Sequence, residues 1–555
     1  MSIGRLIIIL CLFILCTGSA LCDSSGEIRE RIRLRIEAAG IPPSLQVGEE
    51  SIYASIVLPI FYERRAYEPA WIKNNKPAPI VKDLLHVLQS ASKQGLRASD
   101  YHVRRIESVF KQTESGGSIG SQNNPTQLVD LELLCTDAFL IFGAHLLKGR
   151  VDPITIDAEW HANLREVDMA GVLQTAVTNQ AVDSVLQSLL PPQKGYDRLM
   201  QALERYRIIE KAGGWENIPD GPGLSKGKSD NRVADLRERL YLTGDLADTT
   251  GADETVFDSI LETAVISFQL RHGLTADGKA GPATIAALNV PVRSRIQQII
   301  ANLERWRWLP QELGKRNVIV NIANFELDLN YEESTLVSMR VIVGKAYRRT
   351  PVFSDYITYM VLNPTWNVPR SIALADILPM VKKDVNYLAE NDFELLSDLQ
   401  GRVEVIDPMT VDWSAITTEN FPYRLRQKPG SKNNLGRIKF MFPNQFNVYL
   451  HDTPAKGLFS RERRNFSSGC IRIEKPAQLA EFLLLSDSSW TMKRLESQLA
   501  AGNEQTVALK KPVPVHILYW TAWAAADGTV HFREDLYHRD TRLIRAIFEQ
   551  PDGDD

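Results

Sequence analysis

The stretch HDTPAKGLFSRERRNFSSGC, from His451 to Cys470, holds a histidine and a cysteine at the two ends of a polar, arginine-rich loop. A thiolate is the nucleophile, and an ordinary cysteine is mostly protonated at neutral pH, so an imidazole within hydrogen-bond reach is what activates it. In FNVYLHD, strand alternation puts Phe446, Val448 and Leu450 on one face and Asn447, Tyr449 and His451 on the other. With the apolar set facing a core, His451 stands at the strand's end on the accessible side. Beyond the loop, Gly469 lets the backbone turn closely. The amides of Ser468, Gly469 and Cys470 can then converge on one oxygen, as oxyanion stabilisation requires. These are the parts of a cysteine acyl-transfer site. A structural thiol and a loop histidine fit the same residues equally well.

The other cysteines sharpen the choice. Of five, Cys11 and Cys16 lie in the opening MSIGRLIIILCLFILCTGSALC, which has a basic residue, Arg5, an apolar run from Leu6 to Cys16, and small residues at 18 to 20. That is the pattern of a secretory signal, residues 1–22, and its apolar run is short for a spanning helix. Left uncleaved, it would associate the N-terminus with the membrane. Cys135 sits in LELLCTDAFLIFGAHLL, at helical apolar spacing, and reads as a buried small hydrophobe. An exported chain of 555 residues with so few cysteines is not a disulfide scaffold, and a leftover Cys470 is a candidate reactive thiol. No second cysteine lies near it, which argues against a metal site. With a net charge of −4, 44% hydrophobic and 24% charged residues, the chain reads as globular and not as a nucleic-acid binder.

The elements that must hold this site come from periodicity. The length calls for several domains, and the patterning describes a multidomain α+β protein. Residues 23–229 read as a helical scaffold with amphipathic segments such as PIVKDLLHVLQSASKQG. Residues 230–291 read as a small three-helix module. From 316 the period changes from 3.6 to 2, and strands are expected in NVIVNIANFELDLN, TLVSMRVIVG, DYITYMVLNPTW, NQFNVYLHD and VPVHILYW, with helices near 474 to 486 and 489 to 501. A charged, partly helical insertion at about 368–438 interrupts this mainly-β domain of 316–548 and reads as a cap over the site.

Competing motifs fail on context. GGSIG at 116 to 120 fits a nucleophile elbow but has neither strand before it nor helix after it. SASK at 90 to 93 and SKGK at 225 to 228, the latter running into SDN at 229 to 231, mimic a serine acyltransferase set, but no KTG follows.

Two stretches resemble known families. FQLRHGLTADGKAGPATIAALN is similar to peptidoglycan-binding modules in Phe268-Gln269, Gly273-Leu274, Asp277-Gly278 and Gly281 with Thr284. His451, its loop and Ser467-Ser468-Gly469-Cys470-Ile471-Arg472 resemble the L,D-transpeptidase (YkuD-like) signature, with Ser468 where many members carry a second histidine. FYERRAYEPAWI, DAFLIFGAHLLKGRVDP and LNPTWNVPRSIALADILP extend the likeness to the large, multidomain YcbB-like subgroup.

The resemblance implies a periplasmic enzyme that forms 3→3 cross-links between peptidoglycan tetrapeptide stems, donor and acceptor. Cys470 would be nucleophile, His451 base, and Ser467, Ser468 and Gly469 loop or oxyanion support, with no metal or other cofactor. It implies acylation by carbapenems as well, and a place beside wall-synthesis proteins. Water or a wall protein as acceptor, and a non-catalytic wall-binding scaffold, are the alternatives. Tyr449 lines the groove or packs inside; Arg472 contacts a stem carboxylate or braces the loop; Trp366 lines the pocket or the core. Lys456, Arg461, Arg463 and Arg464 face the anionic stems or solvent.

Overall fold

The change of period near residue 316 marks the start of a sheet that closes on itself. The computed structural model describes residues 24–40, 44–115, 124–161, 164–248, 254–332, 334–399 and 402–549; the expected leader, 1–22, and the GGSIG loop at 116–120 lie outside them. Twelve strands matter to the site: β1 Arg316–Asn321, β2 Glu326–Tyr331, β3 Ser334–Ile342, β4 Val352–Leu362, β5 Trp366–Asn367, β6 Phe393–Leu399, β7 Arg402–Ile406, β8 Tyr423–Gln427, β9 Ile438–Met441, β10 Leu450–His451, β11 Ile471–Ile473 and β12 Gln505–Leu518.

The principal sheet runs β9-β10-β11-β3-β2-β1-β12-β4, and β9 pairs back onto β4, so the edges meet. A short strand, Trp160–His161, adds in parallel beside β4. Alternation explains the closure, because Val318, Leu327, Val341, Met360, Phe440, Leu450 and Ile471 all point inward and are at most 2% exposed. Closing the sheet removes the unpaired edges that an open one would leave. The single strand expected over 317 to 330 is a hairpin instead, turning at Phe325, whose φ is +54°. Helices Pro476–Leu484 and Met492–Ala501 fall where expected.

The insertion is more than partly helical. Helical turns between Arg370 and Glu390 pack on a four-stranded antiparallel sheet, β5-β8-β6-β7, around a core that includes Ile377, Leu388, Phe393, Leu395 and Leu425. Its β6–β7 hairpin lies within sequence whose charge masked the alternation.

By contacts the chain divides into two compact units: Met1–Ser92 with Arg97–Ala144 and Val167–Leu189, and Lys93–Leu96 with His145–Glu166 and Leu190–Asp555. In the first, Cys135 is fully buried on the helix Pro125–Lys148. One turn away, Glu132 accepts the Trp71 amide at 2.9 Å and the Tyr62 hydroxyl at 2.9 Å, tying down the YEPAWI loop. Burial raises its carboxyl to about 7. Among the described residues no helix is long and apolar enough to cross a membrane.

The three-helix module appears as Arg232–Leu242, Ser259–Arg271 and Pro282–Leu288 around Val233, Leu236, Leu261, Phe268 and Leu288. Gln269, 1% exposed, is its polar centre. Its amide donates to Asp277, Lys279 O and Thr284 at 2.9 to 3.1 Å, and its oxygen accepts the Gly278 amide at 2.9 Å. Each group left unsatisfied by truncation costs about 1–3 kcal/mol. Gln269→Ala should therefore collapse hydrogen-exchange protection over 259 to 288 while leaving the β1–β12 ladder protected.

Candidate active site

The parallel pairing of β10 with β11 builds the site. Its register sets Leu450 against Ile471 and His451 against Arg472. The Ile471 amide also bonds Tyr449 O at 3.1 Å, which brings Tyr449 beside Cys470. In-register neighbours share a face, so Tyr449, His451, Cys470 and Arg472 all project on the side opposite Leu450 and Ile471. That side opens into a cleft of about 990 Å³ under the insertion, lined also by Trp366, Lys439, Lys345, Arg348 and Asn447.

Two details differ from the expectation. The strand is only Leu450–His451, because Asn447 takes φ +54° and the Asn444 side chain folds the approach by bonding the Phe446 and Val448 amides. Phe446 therefore lines the cleft beside His161 and Phe353 instead of joining the core. His451 does face the cleft but is enclosed between β9 and β11, and only 5% of it is exposed.

The nucleophile loop is stapled by hydroxyl groups. Ser467 Oγ donates to Cys470 O at 2.5 Å and accepts the Gly469 amide at 3.2 Å, while the Ser467 amide bonds Val343 O. The Ser467 and Gly469 amides are thus spent on the loop, leaving the backbone at 468 and 470 as the candidate oxyanion donors. Gly469 sits at φ +114°, a region that L side chains rarely enter. Thr350 Oγ1 donates to Gly469 O at 2.8 Å and accepts the Gly344 amide at 2.9 Å. Tyr537 Oη donates to Gly344 O at 2.6 Å. Ser468 Oγ accepts from Arg348 at 2.8 Å.

Cys470 is partly buried, and its thiol donates to Asn447 O at 3.8 Å. Burial raises its pKa, opposed by hydrogen bonds from the Tyr449 amide and hydroxyl and by the charges of Lys439 and Arg472. Burial, reinforced by Arg472 and Lys439, drives His451 down to about 3, although the Asp452 and Leu435 carbonyls pull it up. Asp452 O lies 2.6 Å from its Nδ1. The pair is therefore neutral thiol with neutral imidazole at ordinary pH. No hydrogen bond joins Cys470 to His451 among the described residues; such contacts commonly tighten only around substrate.

Tyr449 and Trp366 both line the cleft, and burial together with the neighbouring Cys470 sulfur holds the Tyr449 hydroxyl above its ordinary pKa, against the Trp366 side chain. Trp366 belongs to the insertion's core and lines the cleft, so both readings of it hold. Arg472 Nε is buried without a partner. The basic loop is placed elsewhere. Lys456 pairs with Asp452, Arg463 with Glu534, and Arg464 bonds carbonyls of Val341 and Phe325; none of these lines the cleft. Besides Arg472, the cleft's cations come from residues not singled out in the sequence, namely Lys439, which sits 3.9 Å over the Tyr449 ring, and Lys345, Arg348 and Arg349 after β3. In RIKFM the alternation that buries Ile438 and Phe440 was the available signal for Lys439. Among the described residues no group of three or more His, Cys, Asp or Glu could hold a metal ion.

Comparison with known proteins divides the chain into three matched stretches. Residues 57–203 match the family described as "Scaffold domain", 229–288 that described as "Putative peptidoglycan binding domain", and 315–515 the "L,D-transpeptidase catalytic domain". A Haemophilus influenzae protein described as "Putative L,D-transpeptidase" is 38% identical over 250 residues, 45% of this chain and 49% of the relative, so the chain spans about half the length of the curated relative it matches. Among solved structures, an L,D-transpeptidase from Xylanimonas cellulosilytica superposes with TM-score 0.17 at 14% identity, over 54% of this chain and 99% of the other. A fused amidase/peptidase and peptidoglycan-binding protein from Clostridium acetobutylicum gives 0.15 at 11%, over 54% and 100%. Superpositions that loose carry no weight here. The sequence matches do: residues 315–515 are an L,D-transpeptidase catalytic domain, behind a scaffold domain and a peptidoglycan-binding domain.

Proposed function

We propose that this chain is a cysteine acyltransferase that makes 3→3 cross-links in peptidoglycan. The observation that carries the reading is the β10–β11 register, which sets His451, Cys470, Tyr449 and Arg472 on one wall of one cleft.

In this reading Cys470 Sγ attacks the carbonyl between the third and fourth residues of a donor tetrapeptide stem. Its proton passes to His451, which is neutral and so able to accept it. The C–N bond breaks, His451 returns the proton to the departing D-alanine amine, and a thioester remains. An amine on a neighbouring stem then attacks. Its proton goes to His451, the C–S bond breaks, and the thiol is restored as the new amide forms. The amides at Ser468 and Cys470 hold the oxyanion, and Arg472, with its unpartnered Nε, meets a stem carboxylate. Trp366 and Tyr449 line the cleft around the sulfur. Only side chains and backbone act in this scheme. Residues 1–22 serve as the export signal to the periplasm, and the module at 229–288 holds the chain to its substrate polymer beside the wall-synthesis proteins.

Intact-protein mass spectrometry with a carbapenem tests the chemistry. Wild type should gain one covalent adduct, Cys470→Ala none, and His451→Ala should acylate slower by about 10²–10⁴-fold. A folded wild type that stays unmodified would sink the acyl-enzyme reading.

The charge states give a second test. A thiol held above its ordinary pKa beside an imidazole held well below its own has no thiolate plateau near neutrality. The rate of Cys470 alkylation by iodoacetamide should climb about tenfold per unit between about pH 6 and 8, without an inflection near the usual histidine value. A flat profile over that range would show a thiolate–imidazolium pair instead.

A further inference from the structure

Three cations on the loop after β3, Lys345, Arg348 and Arg349, line the cleft on the side of the nucleophile loop. Their commitments differ. Arg349 is drawn to Asp157 at 3.6 Å and bonds Ala346 O. Arg348 reaches across the cleft: Nη1 donates to Ser468 Oγ at 2.8 Å and to Asp376 Oδ2 at 2.6 Å. Asp376 belongs to the cap, on a single π-helical turn, Ala373–Ile377, of the kind that often marks functional positions. The ion pair is partly open to solvent, 21% on the arginine side and 42% on the aspartate side. A pair so exposed contributes little net stability and is readily exchanged for another carboxylate.

Resting on the acyl-transfer reading above, we propose that Arg348 is the acceptor-selecting residue: its guanidinium binds the carboxylate carried by the same carbon as the attacking amine, and Asp376 occupies that position in the acceptor's place. The chemistry is that of an α-amino acid terminus, which the diaminopimelate side chain presents. A guanidinium is suited to a carboxylate by its planar fork. Its bond to Ser468 sets it two residues from Cys470, so a carboxylate seated on it holds the adjacent amine beside the thioester. Water has no carboxylate and gains nothing from this contact. Arg348 thereby biases the acyl-enzyme toward cross-linking and away from hydrolysis. Because the competing carboxylate stands on the cap, acceptor entry and cap position are coupled through one guanidinium.

The experiment follows acyl-enzyme partition in the full chain. A donor tetrapeptide is supplied with a diaminopimelate-containing tetrapeptide acceptor, its side-chain carboxylate either free or converted to carboxamide, and the ratio of cross-linked to hydrolysed product is read by mass spectrometry. Wild type should favour the free carboxylate by about ten- to hundred-fold, the value of a charge-assisted hydrogen bond. Arg348→Gln should lower the ratio with the free acceptor to that of the carboxamide, and the carboxamide should lower it no further. Arg348→Lys should restore part of it, and Asp376→Asn should raise capture at low acceptor concentration. The ratio reports only on acyl-enzyme already formed, so a slower first step does not imitate the effect. Wild type that accepts carboxamide and carboxylate equally overturns the assignment, and needs no variant to fold. Wild type that forms no acyl-enzyme overturns the underlying reading instead.

Discussion

Everything at the site depends on two short strands pairing in parallel inside a closed sheet. With an apolar interior on one side, Leu450 and Ile471 must point in, and the alternation then leaves Tyr449, His451, Cys470 and Arg472 no choice but the other side. A slip of one residue would expose the first pair and bury all four of the others. The hydrophobic effect thus sets the relative position of two polar groups it never touches. The neighbouring strands extend the same logic, since β9 places Lys439 opposite His451.

Electrostatics then acts on a geometry already decided. Burial penalises both charged forms, that of the thiol and that of the imidazole. For His451 the nearby cations work with burial, and the result is a base that stays unprotonated far into acid. For Cys470 the same cations, Lys439 and Arg472, oppose burial and lose to it. One pair of positive charges therefore has opposite consequences for two groups on one wall: it favours the neutral imidazole and the charged thiolate, and burial outweighs the second.

Local pattern was enough for much of this. The change of period near 316, the module's helices, the buried Cys135 and the shared face of Tyr449 and His451 were all legible, because each is a property of adjacent residues. Long-range placement was not. Arg348 and Thr350 reach the nucleophile loop, and Tyr537 the Gly344 backbone bridged to it, through hydrogen bonds across more than a hundred residues of chain, and nothing near them in sequence advertises that. For the arginines of the loop between His451 and Cys470 the reading away from the stems is the one that fits, since their nearness in sequence did not translate into nearness to the cleft. The cap's sheet was obscured because β7, exposed nearly throughout, has no apolar face to reveal its period.

The staples around Gly469 carry a consequence for how this chain can vary. Strands of two and three residues supply few ladder bonds, so the reactive loop takes its rigidity from Ser467 and Thr350, each acting through a single oxygen, with Tyr537 holding the Gly344 backbone bridged to Ser467. Thr350 is fully buried in a setting where methyl groups are cheap and hydroxyls are not. Drift at such positions is filtered by oxygen and not by volume: serine remains a permitted neighbour of threonine there, while valine, its match in shape, does not.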